Sequence, residues 1–187
     1  MIQSFLETLQ RAWPFLIQGF QITIEIWAIS IVIGIVVGLF SCLMKISRFK
    51  VLNLISNFYI WLIRGTPMIV QALVVYFGMP QVIPGFHPTP FMAGIITLSL
   101  NAGAYLSEIF RSGIQAVPKG QTEAARSLGL SAGRTTVKIV LPQAFKIAIP
   151  PMVNQFIITL KDTSILTVIG LAEIVNKATQ YVSVRYD

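Results

Sequence analysis

The residues best equipped for chemistry in this chain sit where an ionised group is expensive. Arg64 falls near the middle of an apolar segment, and a charge at a bilayer centre costs about 2.5 to 3.5 kcal/mol even on lenient insertion scales. Asp162, with Lys161 beside it, lies in the middle of the last apolar stretch. At helical spacing Asn57, Trp61, Arg64, Met68 and Gln71 share a face. So do Thr97, Asn101 and Glu108, with Tyr105 next to them, and so do Gln155, Thr159 and Asp162, with Asn154 and Lys161 on the adjoining edge. Hydrocarbon cannot satisfy such stripes, so they must face one another or a cavity. They read either as a polar pathway through the protein or as interhelical hydrogen bonds that hold a bundle together. For Glu108, an interfacial ion pair with Arg111 competes with a pathway role. Arg64 and Asp162 could also form a structural salt bridge with each other. Catalysis has little to work with: one histidine, His87, one cysteine, Cys42, and no carboxylate pair at a common depth. A lone cysteine also excludes an intrachain disulfide and a multi-cysteine metal site.

Holding these groups requires spanning elements, and the composition supplies them. Of 187 residues 55% are hydrophobic and 11% charged, with a mean hydropathy of +0.74, whereas a soluble domain is about 25% charged. At about 20 residues per crossing, the apolar runs predict an all-α bundle with spans near 19–44, 52–77, 91–110 and 147–170. An amphipathic segment, 1–18, precedes them, interrupted by Pro14. Its first nine residues carry Glu7 and no basic residue, which argues against a signal peptide. The charge-free run from Gly65 to Ser107 must contain a turn, and Gly78 to Pro90, with four prolines and two glycines, is the evident place. Within the second span Pro67 offers no N–H to the carbonyl of Ile63, so a kink beside Arg64 is expected. Ser30, Gly34, Gly38 and Cys42 in the first span, and Ser99, Gly103 and Ser107 in the third, form small-residue stripes that suit close helix packing.

Charge sets orientation. The net charge of +7 is spread between apolar stretches rather than clustered on one face, so cytoplasmic loops explain it better than nucleic acid. Residues 45–50 hold three Lys or Arg and residues 111–146 hold six, against none in 78–90. By the positive-inside rule both basic loops face the cytoplasm and the N-terminus lies outside. Within the larger loop Pro118 suits a first helical turn, Glu123 an early position and Gly129 an end, giving a helix of about ten residues. Its small apolar face, Ala124, Ala125 and Leu128, cannot build a core alone, so it docks in a groove of this chain or of a partner.

Glu123-Ala124-Ala125, then Gly129, then Ile139, Leu141 and Pro142 resemble the EAA loop of membrane subunits of ATP-binding-cassette importers. Arg64-Gly65-Thr66-Pro67 with Val70-Gln71, the run from Ser99 to Tyr105, Leu141-Pro142-Gln143-Ala144 and the run from Leu160 to Ser164 resemble the polar amino-acid permease branch. The resemblance covers about residues 19–185. It implies a type I importer permease with several partners: a second permease subunit, identical or closely homologous, two cytoplasmic ATPase subunits, and an external substrate-binding protein. The setting implied is a bacterial cell membrane. Glu123, Ala124, Ala125, Leu128 and Gly129 would form the coupling contact. The substrate pathway would draw on Arg64, Gln71, Asn101, Glu108, Asn154, Gln155, Thr159 and Asp162. A carboxylate and an ammonium ask for a donor group, here Arg64, and an acceptor group, here Asp162 with Asn101 and Gln155. No G-x-x-x-x-G-K-[ST] phosphate loop occurs, which fits ATP and Mg2+ bound on the partner and no cofactor on this chain. The resemblance further implies a last helix after the outer segment 171–187, beyond these residues. A channel or secondary carrier without an ATPase is the rival reading, with the polar stripes as its permeation path.

Overall fold

The computed structural model describes residues 2–184, and among them every regular element is helical. Helix α1, Ile2–Ile46, passes through Pro14 without a break, so the expected separate segment 1–18 and the span 19–44 are one helix. Proline removes only one backbone bond, and packing on the last helix holds both sides of it: the Tyr181 hydroxyl donates to the Thr8 carbonyl at 3.3 Å and the Phe15 and Tyr181 rings lie 5.7 Å apart. At about 1.5 Å per residue α1 is about 67 Å long, more than twice the hydrocarbon core of about 30 Å.

The expected span 52–77 is a broken helix. Helix α2, Lys50–Gly65, ends where Thr66 turns extended (φ −118, ψ 145), and α3, Met68–Leu73, starts after Pro67. A proline drives the preceding residue out of the α region, and the result here is a 106° bend between the two arms. The second arm continues through a π-helical turn, Val74–Gly78, into α4, Met79–Val82, so the break before the third span is shorter than expected. Helix α5, Pro90–Gln115, starts with proline in its first turn and Thr89 as N-cap, its hydroxyl accepting from Met92 N at 3.2 Å, and it runs past the expected end at Phe110. After α6, Lys119–Ser127, come α7, Ala132–Thr135, a π turn, Thr136–Val140, and α8, Leu141–Asp162, which carries Pro150 and Pro151. The fourth expected span, 147–170, thus begins earlier as α8 and finishes as a 3-10 turn, Thr163–Ile169, closed by Gly170 at φ +80. Helix α9, Ile174–Ser183, follows.

By length and apolarity two helices can cross a membrane, Glu7–Ile46 and Pro90–Gln115, or three if the bent pair counts as one span. Helix α8, with Lys146, Lys161 and Asp162, is not among them. The core forms where α5 meets its neighbours. Ile26, Ala72, Val75, Ala93, Leu98 and Leu166 make one buried cluster, and Ala102, Leu106, Ala148 and Met152 another. The two small-residue stripes are packing faces, and they meet each other: a Cβ on Gly38 would lie 3.0 Å from the Gly103 carbonyl oxygen and 3.2 Å from Ser107 N, and one on Gly34 3.4 Å from the Ser99 carbonyl oxygen. Large apolar side chains such as Phe40 (63%), Phe58 (60%) and Trp61 (70%) stay exposed, as a lipid-facing or partner-facing surface requires.

Candidate functional site

Arg64 ends α2 with its guanidinium carbon 4.9 Å from the Tyr105 ring centroid, a cation–π contact to α5. Beneath it lies a cavity of about 350 Å3 walled by Tyr105, Glu108 and Ser112 of α5 and by Ile147, Ala148 and Pro151 of α8. Four residues past Pro67, Gln71 reaches back. Its amide nitrogen donates to the Ile63 carbonyl at 2.7 Å, the acceptor Pro67 leaves without a backbone donor, and lies 2.9 Å from Thr66 Oγ1 and 3.1 Å from the Thr66 carbonyl. Its carbonyl oxygen accepts from Asn101 of α5 at 3.3 Å.

Glu108 is doubly paired. Lys45 of α1 lies 2.6 Å from one carboxylate oxygen and Arg111 2.7 Å from the other, with the side chains 18–26% exposed. These are the ion pairs among the described residues, so the Arg64–Asp162 salt bridge is not formed. On α8 the amide of Gln155 donates to the Thr159 hydroxyl at 3.3 Å, and that hydroxyl donates to the Gln155 carbonyl at 2.9 Å; both residues are buried, while Asn154 is exposed. Asp162 is partly buried at the helix end. At about 1.5 Å per residue it stands about 16 Å further along α8 than Pro151, the cavity wall. The structure therefore brings Arg64 and Glu108 into one cavity and sets Asp162, Gln155 and Thr159 apart from it. Asp162 is not part of the lining of the cavity that Arg64 and Glu108 share.

The loop helix α6 keeps most of its side chains exposed and meets α8 where Gln143 Nε2 donates to Gln121 Oε1 at 3.5 Å. Pro118 precedes α6, and Gly129 at φ +82 ends it in a Schellman motif, with Gly129 N donating to Arg126 O at 3.0 Å and Leu130 N to Ala125 O at 3.1 Å. Glu123, Ala124, Leu128 and Gly129 are exposed, Leu128 at 84%, whereas Ala125 is buried. The expected apolar face is thus split: Ala125 seats the helix, and Ala124 and Leu128 point away.

Three features escaped the sequence. Lys45 pairs with Glu108 across 63 positions, a separation no local pattern encodes. Gln71 braces the kink, which the vacancy at the Ile63 carbonyl could have flagged. Glu173 is fully buried and caps α9, accepting from Val175 N at 2.9 Å, Asn176 N at 2.7 Å and the Thr167 hydroxyl at 2.5 Å; an acidic residue three positions after Gly170 was its trace.

The chain as a whole is similar to known proteins. The family described as "Binding-protein-dependent transport system inner membrane component" matches residues 14–186. The arginine transport system permease protein ArtQ of Bacillus subtilis is 43% identical over 93% of this chain and 79% of its own length. The L-cystine transport system permease protein TcyB of the same species is 39% identical over 90% and 71%, and the glutamine transport system permease protein GlnP of Escherichia coli 36% over 92% and 78%. Among solved structures, "Crystal structure of an amino acid ABC transporter with histidines" superposes with a TM-score of 0.92 at 40% identity, over 98% of this chain and 84% of that one. The inward-facing MetNI methionine ABC transporter shares the fold, at TM-score 0.65 and 19% identity over 100% and 86%.

Proposed function

We propose that this chain, which belongs to the family of binding-protein-dependent transport system inner membrane components, is the permease subunit of an ATP-driven importer of polar amino acids. It is a membrane protein that works with an ATPase and a substrate-binding partner. The relatives named for arginine, cystine and glutamine transport supply the substrate class, and a channel or secondary carrier without an ATPase finds no support among them.

One observation carries the mechanism: a nine-residue helix at the basic end of the molecule that spends little of its surface on its own bundle. Ala125 is buried, leaving Glu123, Ala124, Leu128 and Gly129 exposed for a cleft in the ATPase. ATP and Mg2+ bind on that ATPase, away from this chain, which is non-catalytic. A second permease, identical or closely homologous, completes the pathway, and rocking of the paired bundles about their interface alternates access. The N-terminus faces outward across a bacterial cell membrane, because the Lys and Arg of residues 45–50 and 111–146 belong on the cytoplasmic side. Within the pathway Arg64 and Asp162 are successive stations, the first attracting the substrate carboxylate and the second its ammonium.

The test uses the assembled importer in vesicles with its binding protein. Glu123→Lys reverses the charge on the exposed face of α6 without touching the core. The expected outcome is loss of ATPase co-purification, or hydrolysis that no longer drives uptake. Coupled transport with a fully retained ATPase would remove the coupling assignment.

A further inference from the structure

We infer that Gln71 is a positioning residue for transport: its amide sets the angle of the break at Pro67 and ties that break to α5, which fixes where Arg64 stands. The inference rests on the transport reading above and adds a role to a side chain otherwise read as a pathway ligand.

The geometry is asymmetric in an informative way. A helix broken at proline leaves its last carbonyls without donors, and here a single amide NH2 serves that need, lying within 3.1 Å of the Ile63 carbonyl, the Thr66 carbonyl and the Thr66 hydroxyl. Thr66 in turn donates its hydroxyl to the Leu62 carbonyl at 2.8 Å. The other end of the same amide faces Asn101, a buried residue in the middle of α5. Asn101 and Tyr105 are one turn apart on that helix. Tyr105 holds the arm before the break through Arg64, and Asn101 holds the arm after it through Gln71. One face of α5 therefore grips both arms.

Beside the break lies an apolar cavity of about 340 Å3, whose lining includes Ile63, Thr66, Gln71, Thr97 and Leu100. Empty space beside a hinge lets the angle change without overpacking a neighbour. Both grips are also breakable: a cation–π contact at an exposed arginine and an amide hydrogen bond at 3.3 Å. A substrate carboxylate that draws Arg64 off Tyr105 leaves the arm before the break tied to α5 through Tyr59, whose hydroxyl donates to the Leu100 carbonyl at 2.6 Å, and the arm after it through Gln71–Asn101. Gln71 thus transmits the state of Arg64 to the hinge and is not itself a contact of the substrate.

The experiment uses the complete importer reconstituted with its ATPase and binding protein, measuring initial uptake, ATP hydrolysis and complex yield. Asn101→Leu cuts the link and leaves the brace on Ile63 and Thr66. Gln71→Glu keeps an acceptor for Asn101 and removes the donors of the brace. Each is expected to lower kcat for uptake about tenfold, with KM for the amino acid within twofold and more ATP hydrolysed per molecule carried. Asn101→Leu combined with Gln71→Leu should cost no more than Gln71→Leu alone, because both break one chain of bonds. A raised KM at unchanged kcat in Gln71→Glu would make Gln71 a substrate ligand and overturn the inference. So would a loss of uptake that only tracks the loss of assembled complex. Uptake by the unsubstituted complex that does not depend on ATP would instead defeat the transport reading, which separates the two failures.

Discussion

Gly38→Ala measures how tightly α1 and α5 are pressed together. A methyl group at residue 38 would stand 2.9 Å from Leu106 Cβ, 3.0 Å from the Gly103 carbonyl oxygen and 3.2 Å from Ser107 N. Carbon atoms in good contact sit about 3.5–4.0 Å apart, and two of these neighbours are backbone that cannot rotate aside. Helix α1 would have to retreat by several tenths of an ångström along the line where Ser30, Gly34 and Cys42 are also buried. Overpacking of this kind costs about 1–3 kcal/mol, and the better helix propensity of alanine returns about 0.5–1 kcal/mol. The net loss is about 1–2 kcal/mol, equivalent to a fall in melting temperature of roughly 2–8 °C for a chain of this size. Gly34→Ala, whose methyl group would meet Ala102 Cβ at 3.1 Å and the Ser99 carbonyl at 3.4 Å, should lose less. Gly133→Ala, with no atom within 4 Å in α7, should lose nothing. Thermal unfolding of the purified complex in detergent, followed by size-exclusion chromatography after heating, ranks the three. If Gly38→Ala melts with Gly133→Ala, the two stripes are not in the contact described.

Other consequences are as specific. Glu108→Gln removes both ion pairs at the C-terminal ends of α1 and α5; with the side chains 18–26% exposed, solvent screening limits the loss to about 1 kcal/mol, and a Lys45→Glu/Glu108→Lys exchange should recover part of it in the same melting assay. Glu173→Ala leaves Val175 N, Asn176 N and the Thr167 hydroxyl without their acceptor, so α9 should lose about 0.5–2 kcal/mol and hydrogen exchange over residues 174–183 should accelerate while α5 stays protected. Asp162→Asn should slow uptake in vesicles without lowering the yield of assembled complex, and unchanged uptake would remove Asp162 from the pathway.

The parts of the fold legible in the sequence are those decided by neighbours along the chain. Thr89-Pro90 opens a helix because a hydroxyl cap and a fixed φ act within one turn, and Pro118 and Gly129 bracket α6 for the same kind of reason. The kink at Pro67 was readable, but its 106° was not, since the angle depends on how Gln71 and α5 receive the freed backbone. Pro14 carries the same chemistry and breaks nothing, because α9 lies along both sides of it. The stripes on α5 and α8 hold as helical faces, whereas the one from Asn57 to Gln71 is divided by the 106° bend and its Trp61 stays 70% exposed. Periodicity tells which side of a helix a residue occupies, whereas whether Arg64 meets Asp162 depends on the relative depth of α2 and α8. Lys45–Glu108 is a fact about two helices at once, and nothing in either run of sequence announces it.

That division follows the mechanical one. Where α1 meets α5, glycine and serine bring backbones together, and a contact made of backbone can neither repack nor slide without loss. Around it the chain is interrupted: an extended Thr66 before Pro67, π turns at Val74–Gly78 and Thr136–Val140, and a 3-10 turn after Asp162. Each interruption departs from the regular α-helical hydrogen-bond ladder, as in the i→i−5 bonds of Met79 N to Val74 O and Leu141 N to Thr136 O. Arg64 and Asp162 both sit beside such an interruption, and Glu108 sits on the rigid pair with two cations already bound. A charge that must meet a moving substrate belongs where the backbone can yield, and a charge that must stay neutralised belongs where it cannot. On that ground Glu108 fastens the C-terminal ends of α1 and α5, and Arg64 and Asp162, which form no ion pair among the described residues, are the charges we propose for cargo.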